Sequence, residues 1–507
     1  MERNRMKRVL VFTALTATFL AAPAAVTSAL LAWKLGASIN DCVPVDSDEV
    51  HYWNEIACFV RAGFASGYCV DNEQPARASW TRFGPHGPGF PLVFGLPACV
   101  VGWQPTSGPL FNVVVVAIGA CLWIGLTRPT AVTLALATVL IGTYWPVILY
   151  LPTIYQEGLH CALAFVLAGL LRRALGGSVR DSLPFVALVL IAALIRLSWV
   201  LVLIPWAIAS FPGVRWRTKA FIVLATVGGL AAAIWAFTVI CAPYPDRLNP
   251  ELARARENPI FAFWTLEMRW ERGWKQLFLP STAPPAGLLQ RGQLVAIILL
   301  GAGLLAWRKW PRQAAFAALN VLGILVANML FFDMWGNRDY RVIAPHFLLS
   351  LLSLLAVSWR PVLPFVLANV VCVGIVAGQF AEFHRERTSV DRQELAAVRE
   401  ELAALMTFHP GDDGWSNTLF FPVSQQGYRL IALPPGIGLT FALTDEMNPF
   451  FPWRSRYVIL PPQHAPPPGS RFRLRAATAI GPLYVNPDYP EDERAPPPAG
   501  ATAGARR

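Results

Sequence analysis

Long apolar runs separated by short basic clusters dominate this chain. Val9 to Trp33 runs about 25 residues without a charge, enough for a helix to cross roughly 30 Å of hydrocarbon. Further apolar segments lie at 109–126, 130–151, 158–171, 183–211, 220–242, 292–306, 314–332, 342–358 and 361–381. Ala-Ala-Pro-Ala-Ala inside the first run would suit a cleaved leader. That run, however, exceeds the roughly 7 to 15 apolar residues of a signal core, so it reads as a retained span.

Basic residues between the runs set the orientation, because Arg and Lys concentrate on the cytoplasmic side. Placing Arg3, Arg5, Lys7 and Arg8 there puts Arg128, Arg172, Arg173 and Arg180 on the same side by strict alternation. Residues 183–211 decide the rest. A single crossing would move Arg215, Arg217 and Lys219 outside, whereas two short helices turning near Arg196-Leu-Ser198 keep them inside with Arg308, Lys309, Arg312 and Arg360. Eleven spans are therefore predicted, with residues 34–108, 152–157, 243–290, 333–341 and 382–507 facing outward.

Of the 507 residues, 55% are hydrophobic and 14% charged, which places the chain among polytopic membrane proteins rather than soluble ones. The net charge of +11 comes largely from cytoplasmic loops and needs no nucleic-acid partner. No nucleic-acid-binding signature accompanies it. Cysteines are scattered without a C-x-x-C pair, against a structural zinc site. Cys42, Cys58 and Cys69 share the first outer loop, where an oxidising compartment permits one disulfide, though spacing does not choose the pair.

The outer polar residues carry the candidate chemistry. Asp46-x-x-Glu49 matches a helix capping box and explains two acids structurally, but it leaves Asp48 over. From there Asp48, Tyr52, Glu55 and Phe59 recur on one helical face. A carboxylate in a first helical turn can serve as a general base or a metal ligand. Gly84-Pro-His-Gly-Pro-Gly-Phe-Pro91 then forms a rigid turn feeding Leu92 to Trp103, which is too short to span and suits an interfacial helix. His86 in that turn either faces water or donates to a phosphate or metal. Arg196 within an apolar run requires an aqueous cavity or a partner. Arg338 and Arg341 could grip a phosphate together, or pair with Asp333 or Asp339.

This layout resembles the GT-C glycosyltransferases, in particular the bacterial group of aminoarabinose transferases and protein O-mannosyltransferases (family 39-like). The resemblance rests on Asp48-Glu49-x-x-Tyr52, the Gly84 to Pro91 turn, Tyr155-Gln156-Glu157 at an outer span end, Arg196 at the bend of a split helix, and Arg338-Asp-Tyr340-Arg341 followed by Pro345. It covers about the first 380 residues by architecture and only short motifs by residue type. It implies a GT-C fold for the roughly eleven transmembrane helices, with outer juxtamembrane helices; the residues beyond it read on their own as a small C-terminal α+β domain. It also implies transfer of a sugar from a polyprenyl-phosphate donor to a glycan, lipid or protein acceptor, with inversion. Asp48 and Glu49 would then be catalytic. Arg196, Arg338, Arg341 and His86 would bind the donor phosphate, and Tyr52, Glu55, Glu157 and Tyr340 the substrates. Asp46, Asp48 and Glu157 offer hard oxygens of the kind magnesium or manganese takes, although no spacing demands a cation. The implied location is a bacterial inner membrane, with the site on the periplasmic or extracellular side.

Residues 1–381 are expected to form the catalytic membrane module and 382–489 an outer domain. The domain opens with an amphipathic helix over His384 to Met406, and strands follow at Arg429-Leu-Ile-Ala-Leu, Arg456-Tyr-Val-Ile-Leu and Arg471-Phe-Arg-Leu-Arg. The Pro- and Ala-rich segment 490–507 reads as disordered. A lipid or glycolipid transporter or flippase is the competing class, but it would carry its polar residues near the midplane, and no internal repeat supports it. A non-enzymatic assembly protein would tolerate neutral replacement of Asp48.

Overall fold

The computed structural model describes residues 2–63, 70–71, 87–176, 178–241, 258–278, 285–331, 340–410, 415–421, 428–441, 453–460, 466 and 469–490. His86, Arg338, Cys69 and the 491–507 tail lie outside the described residues. The chain divides into two compact units. One comprises Met1–Asn40, Pro109–Trp235 and Asp246–Arg385, the other Asp41–Gly108, Ala236–Pro245 and Glu386–Arg507.

In chain order the helices are α1 (Glu2–Leu35), α2 (Ser47–Ala62), α3 (Gly89–Val101), α4 (Ser107–Thr127), α5 (Ala131–Thr143) and α6 (Trp145–Tyr150). They continue with α7 (Glu157–Ala174), α8 (Val179–Ala193), α9 (Leu203–Ser210), α10 (Trp216–Ile240) and α11 (Pro259–Phe278). The series closes with α12 (Pro285–Ala306), α13 (Pro311–Phe331), α14 (Tyr340–Leu355), α15 (Leu363–Ser389) and α16 (Arg392–Leu405).

The first unit is a bundle of apolar helices. Among the described residues, 6 helices are long and apolar enough to cross a membrane, and shorter apolar helices accompany them. Each predicted apolar segment is met by a helical element, with α5 and α6 sharing the segment 130–151. The split near Arg196 is present: α8 stops at Ala193 and a 3₁₀ turn over Leu197–Val202 leads into α9. In the most apolar part of α1 only 11% of residues are buried, so the apolar side chains left bare there are the surface a bilayer would cover. The chain is a multi-pass membrane protein.

The sequence reading did not anticipate α11. Charges at Glu267, Arg269, Glu271, Arg272 and Lys275 interrupt its apolar run, yet Ile260, Phe263, Trp264, Met268 and Trp274 are exposed. A helix with bare aromatics interleaved with basic residues suits the membrane interface rather than its core.

In the second unit α2 and α3 pack together, Tyr52 meeting Phe90 edge-on at 5.0 Å. Phe90, Phe94 and Ala98 of α3 are buried, while Leu96, Val100 and Val101 are bare and apolar, as expected of an interfacial helix. A sheet follows, with strands β1 (Val70–Asp71), β2 (Thr418–Phe421), β3 (Gly438–Phe441), β4 (Tyr457–Ile459), β5 (Arg473–Thr478) and β6 (Gly481–Val485) in the order β1-β3-β2-β4-β6-β5. The first four in that order pair in parallel, and the β4-β6-β5 half is antiparallel. Leu395, Val398 and Leu402 of α16 pack with Val50 and Trp53 of α2 and with Leu419, Leu439 and Ile459 in one core.

Two expectations for this part need correction. The predicted helix over His384 to Met406 is broken, because the Asp391 carboxylate accepts from the Gln393 N–H at 2.8 Å and caps α16 as a new helix. The predicted strand at Arg429-Leu-Ile-Ala-Leu is a 3₁₀ turn over Tyr428–Ala432. Leu430, Ile431 and Ala432 are all buried, so the run lacks the alternation of a one-sided strand, and Pro434-Pro435 stops it.

Candidate functional site

In the membrane unit a short turn before α7 gathers charged side chains from distant segments. Asn112 on α4 donates to the carbonyls of Thr153 at 2.7 Å and Leu151 at 3.4 Å, which fixes this turn. Gly158 lets the two pieces approach, since a Cβ there would lie 2.4 Å from the Asn112 amide oxygen. Glu157 follows as the first residue of α7, where the positive end of the helix dipole favours a carboxylate.

Arg196 reaches this carboxylate from the bend of the split helix, its Nη2 lying 2.7 Å from Glu157 Oε1. The Glu157 side chain is 2% exposed and that of Arg196 17%. Among the described residues, Arg196 Nη1 and Glu157 Oε2 have no hydrogen-bond partner. The pair thus leaves a donor and an acceptor, both shielded from water, to be satisfied by something else.

The bend is clamped further. Trp199 Nε1 donates to His160 Nδ1 at 2.9 Å, one helical turn beyond Glu157. Trp199 also stacks on His346 of α14 at 4.6 Å, and the His346 Nε2 lies 3.4 Å from Ser198 Oγ. Arg341, in the first turn of α14, sits 5.1 Å over the ring of Tyr155, two residues before Glu157. Its neighbour Tyr340 is buried and hydrogen-bonds to Tyr144, whose hydroxyl donates to the Ala344 carbonyl at 2.6 Å. Of the predicted residues, Glu157, Arg196, Arg341 and Tyr340 therefore gather around one turn and its neighbouring helix end. The sequence reading missed His160, Trp199 and His346. Histidines buried inside apolar runs, one of them a turn from an acid, were the available signal.

The remaining predicted acids lie on α2 in the second unit. Glu49 is fully buried and its Oε2 accepts from Arg387 Nη2 at 2.7 Å and Nε at 3.0 Å. The same oxygen takes the N–H groups of Asp46 at 3.2 Å and Val45 at 3.3 Å, which forms the capping box. Glu49 is thereby committed to holding the start of α2. Asp48 is half-buried, while Glu55 is fully buried. Tyr52 packs on α3, so part of the predicted helical face is a packing surface.

Cys42 and Cys58 are buried. Burial pushes each up to about 12, so neither is a nucleophile near neutral pH.

Among the described residues no group of three His, Cys, Asp or Glu side chains could hold a metal ion, and one oxygen each of Glu49 and Glu157 meets an arginine.

No protein-family model matches the sequence, and no curated protein does. The fold does match solved structures. ArnT from Cupriavidus metallidurans in the apo state aligns with a TM-score of 0.53 at 12% identity, covering 96% of this chain and 99% of that one. The same protein bound to undecaprenyl phosphate aligns with a TM-score of 0.51 over the same shares at the same identity. At this identity the likeness is one of fold, and the fold is GT-C.

Proposed function

We propose that this chain is an integral membrane glycosyltransferase that moves a sugar from a polyprenyl-phosphate donor to an acceptor hydroxyl by a single displacement with inversion. We place the reaction on the periplasmic or outer face of a bacterial plasma membrane. The observation that carries the reading is the agreement of fold over 96% of the chain with ArnT, a protein solved with undecaprenyl phosphate bound. The Glu157–Arg196 pair, with its open hydrogen-bond positions, supports it.

In the proposed reaction the acceptor oxygen attacks the anomeric carbon from the face opposite the phosphate. As the new C–O bond forms, the bond from the anomeric carbon to the phosphate oxygen breaks, and its electron pair leaves with the polyprenyl phosphate. The attacking hydroxyl becomes acidic as it bonds, and Asp48 takes its proton. Charge gathers on the departing phosphate. Arg196 and Arg341 are assigned to stabilise it, with Arg338 and His86 as further contributors. Glu157 orients Arg196 and dilutes its charge, which favours release of the dianionic product after transfer. Tyr340, Tyr52 and Glu55 are assigned to substrate contact, and Glu49 to holding Asp48 in place. No step is routed through a metal ion.

The test uses the purified chain with radiolabelled polyprenyl-phosphate sugar and a crude envelope extract as acceptor source, comparing wild type with Asp48→Asn. Label moving to acceptor only with the wild type is the expected result. Label crossing a vesicle membrane unchanged, equally with both proteins, would instead assign the chain to lipid transport.

A further inference from the structure

Next to Glu157 stands a group that no step above uses. Gln156 caps the start of α7, and both it and Glu157 are only 2% exposed. The Gln156 Oε1 lies 3.3 Å from His160 Nε2. Among the described residues its Nε2 has no partner, and the same holds for Glu157 Oε2 and Arg196 Nη1. Buried polar groups are rarely left unpaired, so three of them on one turn and its ion-pair partner mark a place that a ligand completes. The Arg196 side chain is 17% exposed, so the set borders accessible space.

The direction of the amide follows from the chemistry of the bend. An indole N–H only donates, so the 2.9 Å contact from Trp199 Nε1 makes His160 Nδ1 an acceptor. With Nδ1 accepting, the ring proton sits on Nε2. That N–H needs an acceptor, and Gln156 Oε1 supplies it. The NH2 group of Gln156 is thereby left over as a donor. Trp199 is itself held by its stack on His346. The orphaned set is thus donor, acceptor, donor: Gln156 Nε2, Glu157 Oε2 and Arg196 Nη1.

We propose that Gln156 and Glu157 read hydroxyl groups of the transferred sugar and select a hydroxylated sugar over its amino counterpart. The proposal rests on the glycosyl-transfer reading. A hydroxyl accepts from an amide and donates to a carboxylate, so neighbouring ring hydroxyls satisfy both orphans. An ammonium group only donates. It would suit Glu157 but leave the Gln156 N–H unmet and set a cation beside Arg196. A phosphate dianion only accepts, and it would meet the Glu157 carboxylate. Gln156 is then a substrate contact, while His160 and Trp199 are positioning residues that act through its amide.

The test is binding of donor lipids to the full chain in neutral detergent, without acceptor. Glucose, mannose and arabinose on polyprenyl phosphate are compared first. The tightest binder is then set against its mono-deoxy and mono-amino derivatives, with bare polyprenyl phosphate as reference. At one ring position or two neighbouring ones, both derivatives are expected to bind at least roughly tenfold less tightly than the parent. Gln156→Glu keeps the shape and the acceptor for His160 but exchanges the donor for a second acceptor, so the amino derivative should then bind more tightly than the parent. Because all sugars ride on the same lipid phosphate, any effect of the new charge on the phosphate cancels in that ratio. Trp199→Phe keeps a ring against His346 but removes the N–H that fixes the His160 tautomer, so the preference should shrink. Asp48→Asn should lose transfer and keep the preference. Failure of wild type to bind even bare polyprenyl phosphate would overturn the glycosyl-transfer reading and this proposal with it. Binding of the bare lipid with equal affinity for parent, deoxy and amino sugars would overturn this proposal alone. So would variants that lower the melting temperature and leave the ratio unchanged, because the three groups would then hold ordered water only.

Discussion

Replacing Glu49 by alanine removes the carboxylate that accepts two hydrogen bonds from Arg387, whose side chain is only 4% exposed. Breaking a buried pair from one side costs about 3–5 kcal/mol. The same oxygen caps α2 through the Asp46 N–H, and loss of a cap adds about 1 kcal/mol. A domain is stable by only about 5–15 kcal/mol, so Glu49→Ala should bring the second unit close to unfolding at room temperature. The double change Glu49→Leu with Arg387→Met removes both charges and should recover most of the loss, since a buried pair replaced by apolar groups is often neutral. Thermal and denaturant unfolding in detergent, followed by tryptophan fluorescence, reads both variants, and label transfer is measured on the double variant. A single variant within about 0.5 kcal/mol of wild type would refute this view of Glu49. So would a double variant that is stable yet wholly inactive, because Glu49 would then belong to the chemistry.

Asp48→Asn should lower transfer by about 10²-fold or more, as expected for loss of a general base, while its melting temperature and donor affinity stay near wild type. Arg196→Lys keeps the charge but loses the planar fork that meets Glu157, so it should behave like Arg196→Gln in transfer assays rather than like wild type. Cys42 and Cys58 should resist maleimide in the native protein at pH 8 and react after unfolding, as mass spectrometry would show. Each of these thiols stays protonated in the fold to about 12, whereas an unfolded thiol ionises near 9.0. The unfolded state therefore binds fewer protons between those values, and stability should fall as pH rises from about 9 to about 12. A flat alkaline stability profile would contradict the burial of both thiols.

The spans were legible because a bilayer demands unbroken apolar length, and Arg196 was legible because a charge inside such a run has no cheap solution. The partner of Arg196 was named in the same motif set, but their contact was not readable: 39 residues separate Glu157 from Arg196, and 338 separate Glu49 from Arg387. The capping box at Asp46 and Glu49 was visible from local spacing, whereas the arginine that turns Glu49 into a buried anchor was not. Likewise β1 joins β3 through residues near 70 and 440, a parallel pairing that no local pattern announces. Helix α11 was hidden by its charges, although its aromatic spacing is that of an interfacial helix. At Leu430, Ile431 and Ala432 a short buried run fits strand and 3₁₀ turn equally well, and the prolines after it decided the outcome.

The central claim is that Asp48 and the arginines gathered at the Glu157 turn serve one donor phosphate and its sugar. A cryo-electron microscopy structure of the chain with a non-hydrolysable polyprenyl-phosphate sugar tests it most directly. The phosphate is predicted within hydrogen-bond reach of Arg196 Nη1 and Arg341, with the Asp48 carboxylate on the opposite face of the anomeric carbon. A phosphate held elsewhere, or an Asp48 carboxylate turned away from the sugar, would contradict it.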